Sequence, residues 1–253
     1  MKSDSTALRS SLFASRFFLY YLIMRLYHCD RKVLLRFQNQ AEKFIKDYST
    51  NVLTASKNAF VDGKGRIVAV FDQHQISEDE IWAVVEKSAV ERLLSHLSKY
   101  LYITEVKVEK EEGMGIYWDL DNEVEPPTKE DVFIPQRAGR LWLTRSNPKI
   151  NVLTDEMTRF RITHQIPWQD IDFHDELLLC VGNQDYVSYV KGCYLGQEII
   201  ARVHYKGRPP KKLVVKSWRD CDDEQKAAMT SRIKDLSLGE DVGFVFDKTP
   251  NDV

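Results

Sequence analysis

Short apolar strands alternate with amphipathic helices between residues 32 and 109, and this alternation constrains the fold more than any other feature. Lys32–Phe37 (KVLLRF) is typical of a strand. The apolar residues that follow recur at i, i+3, i+4 and i+7, the spacing of one helix face: Ala41, Phe44, Ile45 and Tyr48. A turn at Asp62–Gly65 (DGKG) leads into a strand at Arg66–Phe71, and Glu80–Glu86 has the pattern of the next strand.

A second helix and a further strand complete this pattern. Ser88–Glu91 (SAVE) has the composition of a capping box, in which a serine oxygen and a glutamate satisfy the free N–H groups at a helix start. The helix then continues with one apolar face, made by Val90, Leu93, Leu94 and Leu97. Thr104–Glu109 alternates apolar and charged residues, as a half-solvated strand does. The order strand–helix–strand–strand–helix–strand is typical of a ferredoxin-like unit and predicts the α+β class.

Length, charge and cysteine content narrow the function classes. A chain of 253 residues is long enough for one large domain or two unequal ones. Its net charge of −2 gives no bulk attraction to nucleic acid or to a membrane. The cysteines contain no C-x-x-C pair, which argues against a structural zinc site and favours a reducing compartment over a disulfide scaffold. They are Cys29, Cys180, Cys193 and Cys221.

The N-terminal residues permit two interpretations. The apolar run Phe17–Met24 is bounded by Arg16 and Arg25, and it is shorter than the roughly 20 residues that a membrane-spanning helix needs. Together with Arg9 and several serines, these arginines loosely resemble a mitochondrial presequence. We favour the alternative that the run is the first structured segment of the domain.

Residues 105–131 form an acidic stretch, with ten acids against three lysines. We interpret it as a solvated connector or a sheet edge rather than an acidic interaction tail. After it, Arg140–Leu143 returns to the composition of a strand.

The segment Tyr189–Leu213 (YVKGCYLGQEIIARVHYKGRPPKKL) carries the most distinctive chemistry. Lys191 places a cation close to Cys193, and a nearby cation favours the reactive thiolate form. Gly192 and Gly196 allow backbone conformations and close approaches that other residues do not. The alternative is that Cys193 is a small buried thiol in a glycine-rich turn before a helix, because free cysteines are commonly buried.

The rest of the segment offers hydrogen-bonding and charged groups. Gln197 and Glu198 together can donate and accept hydrogen bonds in a fixed pattern, as the edge of a heterocycle would require, and they could begin a helix. The basic run that follows would attract carboxylates or phosphates, and it consists of Lys206, Arg208, Lys211 and Lys212. For Lys206–Lys216 we favour a polyglutamate folate tail or simple solvation over RNA phosphates, since the chain has no RNA-binding signature.

KGCYLGQE resembles the K-G-C-Y/F-x-G-Q-E signature of the YgfZ family, folate-binding relatives of the glycine-cleavage T-protein (GcvT, aminomethyltransferase). All seven specified positions match, from Lys191 to Glu198. Asp62–Arg66 is similar to the family's D-x-K-G-R/K turn, and Arg161–Pro167 (RITHQIP) lies where the family has R-I-E-x-G-x-P. The resemblance covers most of residues 30–215.

The resemblance implies a fold and a domain division. It implies an α+β, GcvT/YgfZ-like folate-binding domain with ferredoxin-like subunits at residues 1–210, wrapped around a central tetrahydrofolate pocket. A truncated C-terminal β-barrel domain would follow at residues 211–253. The chain is short for this family, since Gly113–Asn151 is too compact for the second half of the central domain and Gly239–Phe246 resembles only early barrel strands.

The resemblance also implies a function. It predicts an accessory protein that assembles or repairs iron–sulfur clusters, including those of tRNA-modifying enzymes, with iron–sulfur client or assembly proteins as partners. The functional thiol would be Cys193, with Lys191 keeping it ionised. The folate-binding residues would be Arg161, Tyr194, Gly196, Gln197, Glu198 and Arg202. The cytoplasm is the expected compartment, with the mitochondrial matrix as the alternative.

Two departures bear on the alternatives. T-proteins carry a catalytic aspartate where this chain has Ala69, and the family's pterin-facing glutamate matches Thr163. A folate-dependent aminomethyl or one-carbon transferase is the alternative enzyme, and it would need another carboxylate, for which Asp62 is the nearby candidate. A binding module without ligand chemistry is the third hypothesis, and a pocket too small for a pterin would favour it.

A cluster of acids and histidines offers a competing site. Asp170, Asp172 and His174 would share one side of an extended strand, near His164 and Asp175, and could hold a metal or form an acid/base pair. We favour the alternative of a polar surface loop, because aspartate is mostly a solvated residue.

Overall fold

The computed structural model describes residues 24–249 apart from residues 127, 236 and 238. The prediction for the apolar N-terminal run therefore lies almost wholly outside the described residues. The strands are β1 Leu26–His28, β2 Lys32–Gln38, β3 Lys57–Val61, β4 Ile67–Gln75, β5 Glu80–Glu86, β6 Lys107–Lys110, β7 Gly115–Asp119, β8 Val132–Pro135, β9 Arg140–Thr144, β10 Lys211–Ser217, β11 Thr230–Lys234 and β12 Asp241–Lys248. The helices are α1 Ala41–Tyr48, α2 Val90–Thr104, α3 Thr154–Thr163, α4 Leu178–Val181, α5 Asn183–Tyr186, α6 Gln197–Lys206 and α7 Asp223–Ala228.

A five-stranded sheet, ordered β3-β4-β5-β2-β6, forms the centre of the molecule. Its strands β2 and β5 confirm the predictions at Lys32–Phe37 and Glu80–Glu86. The predicted element order is wrong in one respect, because β3 was not foreseen. This extra strand pairs with β4 as an antiparallel neighbour, so the chain enters β4 from a strand and not from helix α1. Every pair of neighbours in the sheet is antiparallel.

Helices α1 and α2 cover one face of this sheet. The apolar face predicted for α1 is confirmed, since Ala41, Phe44 and Ile45 are buried against the sheet with Leu93 and Leu97 of α2. These contacts explain why residues with this spacing fold as helices here, since most helix stability in proteins comes from packing one apolar face.

The capping box predicted at Ser88–Glu91 does not form. A turn of 3₁₀ helix at Lys87–Ala89 precedes α2, and α2 has no side-chain cap. The Ser88 hydroxyl instead donates a 2.7 Å hydrogen bond to the Asp170 carboxylate. A charged acceptor makes a stronger hydrogen bond than a neutral one, and this tertiary contact replaces the local one.

A four-stranded sheet, ordered β1-β7-β9-β8, packs against the other face of the central sheet. Leu34 and Val84 of the central sheet share a buried cluster with Trp118, Leu141 and other residues of the smaller sheet. The prediction of a solvated connector or a sheet edge at residues 105–131 holds for β6, which is an exposed edge strand, and is wrong for β7, which lies between two strands. The acid Asp119 is accommodated there because its carboxylate accepts a 2.9 Å hydrogen bond from Arg140.

The C-terminal strands form a three-stranded antiparallel sheet, ordered β10-β12-β11, that packs on helix α3 through Ile162, Val242 and Phe244. Within the described residues these strands make an open sheet, not a closed barrel. A buried ion pair reinforces this junction, because Arg161 of α3 lies 2.6 Å from Asp172, whose other oxygen accepts from Ser231.

None of the helices in the described part of the chain is both long enough and apolar enough to cross a bilayer.

Candidate functional site

The KGCYLGQE segment lies on a loop that leaves the core near Val187 and re-enters it at helix α6. The loop begins where the Ser188 amide donates a 3.0 Å hydrogen bond to the carbonyl of Thr50. Its tip is exposed, with Val190 at 94% relative exposure. Cys193 is exposed on this loop, whereas Cys29, Cys180 and Cys221 are buried. The alternative interpretation, that Cys193 is a buried thiol, is therefore wrong.

Gly196 fixes the end of the loop against the DGKG turn. Its φ of 82° is in the left-handed region, and a Cβ at this position would overlap the carbonyl oxygen of Asp62 and lie 2.9 Å from Val61 Cγ2. The turn is itself rigid, because Asp62 Oδ1 accepts hydrogen bonds of 2.8 and 2.9 Å from the amides of Lys64 and Arg66. Two of the three segments that carried the resemblance are thus in direct contact.

Lys191 ties the middle of the loop to helix α1. Its ammonium donates to the carbonyl of Ser49 and lies 5.0 Å from the centre of the Tyr194 ring. Burial lowers the pKa of Lys191 to about 8, against a smaller opposing effect of Asp47. The proposed role of Lys191 in ionising Cys193 stays a prediction, since these contacts of the ammonium are to other groups.

The remaining predicted ligand residues fall into two places. Tyr194 is buried beside Ile200 of α6, and the amide of Gln197 donates to the Tyr194 carbonyl at 3.2 Å. Glu198 and Arg202 are exposed on α6. Arg161 lies elsewhere, at the junction with the C-terminal sheet. Its guanidinium is bonded to Asp172 and Ser231 and stacks 4.1 Å from the Trp168 ring, so a ligand carboxylate would have to replace Asp172.

Sequence reasoning missed the buried polar residues that hold this loop in place. Thr50 Oγ1 donates to the carbonyl of Tyr186, and Asn51 Nδ2 donates to that of Asp185 at 3.0 Å. Asn58 Nδ2 donates to Gln73 Oε1 at 3.1 Å, which joins β3 to β4. Single polar residues inside or beside apolar strands were the available signal, because buried polar groups require partners.

A small cavity lies between the two larger sheets. Its volume is about 20 Å³, and its walls include Trp118, Pro167, Trp168, Gln169 and Tyr186. Four charged side chains also line it: Lys32, Lys57, Asp72 and Glu86. None of these four was predicted from the sequence, because they come from four separate strands of the central sheet.

Asp72 is the centre of this charged group. Its carboxylate lies 3.0 Å from Lys57 Nζ and 3.3 Å from Lys32 Nζ, and it accepts a 3.1 Å hydrogen bond from Gln136. Burial alone would raise the pKa of Asp72, but the two lysines outweigh it and lower that pKa. Lys32 also lies 3.3 Å from Glu86, whose other carboxylate oxygen lies 3.7 Å from Arg31.

The cavity does not fit a folate. A volume of about 20 Å³ holds roughly one water molecule, whereas ligand pockets usually measure about 300–1,000 Å³. Its chemistry is partly suitable, because Trp168 Nε1 has no hydrogen-bond partner among the described residues and could donate to a heterocycle. Glu86 Oε2 also lacks a hydrogen bond there, but it lies 3.7 Å from Arg31. The two lysine side chains and their partners line this small space.

The positions that departed from the family pattern lack catalytic groups in the structure as well. Ala69 is fully buried in β4, and the Gln169 side chain bonds to the backbone on either side of it, at Val68 and Val70. Thr163 is exposed at the end of α3. Asp62, the alternative carboxylate, is committed to its own turn. Asp72 and Glu86 are carboxylates beside the cavity, but both pair with lysines.

The competing acid and histidine cluster forms a turn and not an extended strand, since Asp170 has a φ of 60°. Asp170 lies 3.2 Å from His174 and 3.5 Å from Arg92, while Asp172 pairs with Arg161. Across the described ranges, no three histidine, cysteine, aspartate or glutamate residues converge in a way that could hold a metal ion.

Sequence comparisons find distant relatives of this chain. No protein-family profile matches the chain. It is 21% identical over 181 residues to an uncharacterized protein of Haemophilus influenzae, and the match covers 66% of this chain and 64% of that protein. It is 27% identical over 175 residues to an iron–sulfur cluster assembly factor IBA57 homolog, mitochondrial, of Coccidioides immitis, covering 59% of this chain and 41% of that protein.

A solved structure gives the clearest likeness. The glycine cleavage system aminomethyltransferase T of Bartonella henselae superposes with a TM-score of 0.68 over 91% of this chain and 81% of that chain, at 13% identity. The chain therefore has the fold of this aminomethyltransferase. The two curated relatives are matched over less than two thirds of their own lengths.

The two glycines of the motif should differ in their tolerance of a side chain. We expect Gly196→Ala to lower the free energy of unfolding by about 2 kcal/mol or more, since a left-handed φ and a backbone overlap both oppose the new Cβ. Gly192→Ala is the matched control, because its Cβ would meet open space. Urea denaturation measures both. Equal losses would contradict the Gly196–Asp62 contact.

Lys191 should titrate near pH 8 in the folded protein. Because its folded pKa lies below the usual lysine value of about 10.4, the unfolded chain binds more protons between these values. Stability should therefore rise with pH across that window. NMR of the Lys191 Cε resonance in a ¹³C-lysine sample, assigned with Lys191→Met, gives the midpoint. A midpoint above pH 10 would show that burial does not oppose its charge.

Proposed function

We propose that this chain is an accessory protein in the assembly or repair of iron–sulfur clusters and that it acts through Cys193. The observation that carries the proposal is the position of this thiol. It is the one exposed cysteine of the four, and it lies on a loop fixed at both ends by Thr50 and the Asp62 turn. An exposed thiol on an anchored loop can be presented to a partner with little ordering of the chain.

The comparisons with known proteins support a role in iron–sulfur cluster assembly. The fungal relative is named as an iron–sulfur cluster assembly factor, and the bacterial structure supplies the fold. The YgfZ-like KGCYLGQE segment lies on the surface of that fold, with its cysteine outward. We extend the proposal to clients that include tRNA-modifying enzymes, as the resemblance implies. The mitochondrial name of the fungal relative favours the matrix as compartment, with the cytoplasm as the alternative.

The chemistry of a cluster sets what Cys193 can contribute. Iron–sulfur clusters are commonly held by four cysteine thiolates. The described residues bring no three candidate ligands together, and Cys193 is the exposed thiol, so we infer that Cys193 is the one ligand that this chain supplies. A cluster handled here would take its other ligands from the partner, and Cys193 would serve as one ligand during transfer or repair.

Folate plays no part in the proposal. Tetrahydrofolate is the cofactor that the resemblance implies, but the central cavity has room for about one water molecule. The alternative function, a folate-dependent aminomethyl or one-carbon transferase, is weakened by the same observation. It is weakened further by Ala69, which has no group to activate a folate nitrogen. We therefore derive no catalytic step through folate.

Cells that lack this chain test the proposal. Wild-type protein should restore the activity of cluster-dependent enzymes, including the level of tRNA nucleosides made by such enzymes, and Cys193→Ala should not. Cys221→Ala is the control, because that thiol is buried away from the loop and its loss leaves Cys193 in place. Full restoration by Cys193→Ala, with the protein present at wild-type level, would contradict the role of the thiol.

A further inference from the structure

The charged residues of the central cavity come from four adjacent strands and point between the two large sheets. Their side chains are almost fully buried, with relative exposures of 10% for Lys32, 13% for Lys57, 5% for Asp72 and 3% for Glu86. Buried charges are rare unless paired, because desolvation opposes them. Here each ammonium lies within 3.3 Å of a carboxylate, so the group satisfies itself without any bound ion.

The walls around these charges have the character of a ligand site. The Trp118 and Trp168 rings lie 6.4 Å apart, and Trp168 Nε1 has no hydrogen-bond partner in the part of the chain that the structure describes. Glu86 Oε2 is a second buried polar atom without a hydrogen bond there. Aromatic walls with a few polar groups are typical of pockets for flat heterocycles. The walls are present, but the interior is taken by the lysines.

The side chain of Lys57 extends into the cavity between the sheets. It reaches inward from edge strand β3 to Asp72 at 3.0 Å, and its ammonium lies 5.6 Å from the centre of the Tyr186 ring. A cation between a carboxylate and an aromatic ring is held by both. Lys32 has a different role, since it bridges Asp72 and Glu86 at 3.3 Å each.

We infer that Lys57, with Lys32 behind it, permanently occupies the place that a bound heterocycle would take, so that this chain does not take up folate. The proposal goes beyond the role of Cys193. The two proposals would fail separately, because this one concerns the cavity between the sheets and the other concerns an exposed thiol on the loop before α6.

Removal of Lys57 is the change that should open the site. Asp72 would keep Lys32 at 3.3 Å and Gln136 at 3.1 Å, so the substitution Lys57→Ala leaves this carboxylate with two partners but removes one positive charge from the buried group. A second variant, Lys57→Ala with Asp72→Asn, keeps the experiment decisive if the single variant is unstable, because it also removes the charge that Lys57 balances. Lys46→Ala is the matched control, since Lys46 is an exposed partner of Glu42 on α1.

The test is a titration with tetrahydrofolate and with a pterin that lacks the glutamate tail, followed by tryptophan fluorescence and by thermal unfolding. Wild type and Lys46→Ala should show neither saturable quenching nor a ligand-dependent rise in Tm. Lys57→Ala, or the double variant, should bind the pterin at least about tenfold more tightly than wild type. Trp168→Phe in that background should weaken the quenching, which places the ligand in the cavity.

Three results would overturn the inference. The first is saturable binding of either ligand by the wild type, whether or not Trp168 reports it. The second is a folded Lys57→Ala protein, alone or with Asp72→Asn, that gains no affinity, since Lys57 would then not be the occupant. The third is an equal gain in Lys46→Ala, which would make the effect one of surface charge. The assay of Cys193 in cells measures the activity of cluster-dependent enzymes, so its result does not depend on any of these outcomes.

Discussion

The carboxylate of Asp72, held between two lysines in the middle of the structure, is the interaction on which the rest depends. Asp72 on β4 meets Lys57 of β3 and Lys32 of β2, and Lys32 continues to Glu86 of β5. The group therefore joins four of the five strands of the central sheet. Gln136, which follows β8, bonds to the same carboxylate and ties the second sheet to the first. Loss of one member would leave a buried charge unbalanced, which typically costs about 3–5 kcal/mol.

This internal pairing places charged side chains at the centre of a fold that is shared with an aminomethyltransferase. The chain has the architecture of an aminomethyltransferase, and it retains aromatic walls around the centre. A fold by itself does not determine function, which resides in the side chains of a site. Here the centre is closed by side chains, while the distinctive thiol lies outside on a loop.

The loop that carries the thiol is anchored by contacts that lie far apart in the sequence. Gly196 packs on the Asp62 turn, Lys191 reaches back to Ser49, and the Ser188 amide bonds to Thr50. These three anchors lie before and after Cys193, so the thiol stays exposed while the backbone is fixed. This arrangement explains how a glycine-containing segment can hold an exposed thiol in one position.

The sequence predicted the local elements well and the long-range partnerships poorly. Helix α1 and strand β5 followed from apolar spacing, because that spacing reflects a buried face. Strand β3 was missed because Lys57 and Asn58 begin it with polar residues, whose burial depends on partners elsewhere. Lys57 and Asp72 are 15 residues apart, and Lys32 and Asp72 are 40 apart. Only the strand register brings such residues together.

The candidate site shows the same division. The KGCYLGQE pattern identified the loop and its cysteine, and the need for glycine at position 196 is explained by its contact with the Asp62 turn. Arg161 was expected to meet a ligand, but its partner Asp172 lies in a segment predicted to be a polar surface loop. The acidic composition of residues 105–131 concealed strand β7, because the one buried acid, Asp119, is neutralised by Arg140 from the neighbouring strand.

We propose that Cys193 of this chain is one ligand of a cluster that the chain shares with a partner. Native mass spectrometry of an anaerobic mixture with a protein that carries a two-iron, two-sulfur cluster tests it most directly. The expected result is a one-to-one complex that holds one cluster with the wild-type chain and loses the cluster with Cys193→Ala. An equal cluster content in the Cys193→Ala complex, or a cluster held by this chain alone, would contradict it.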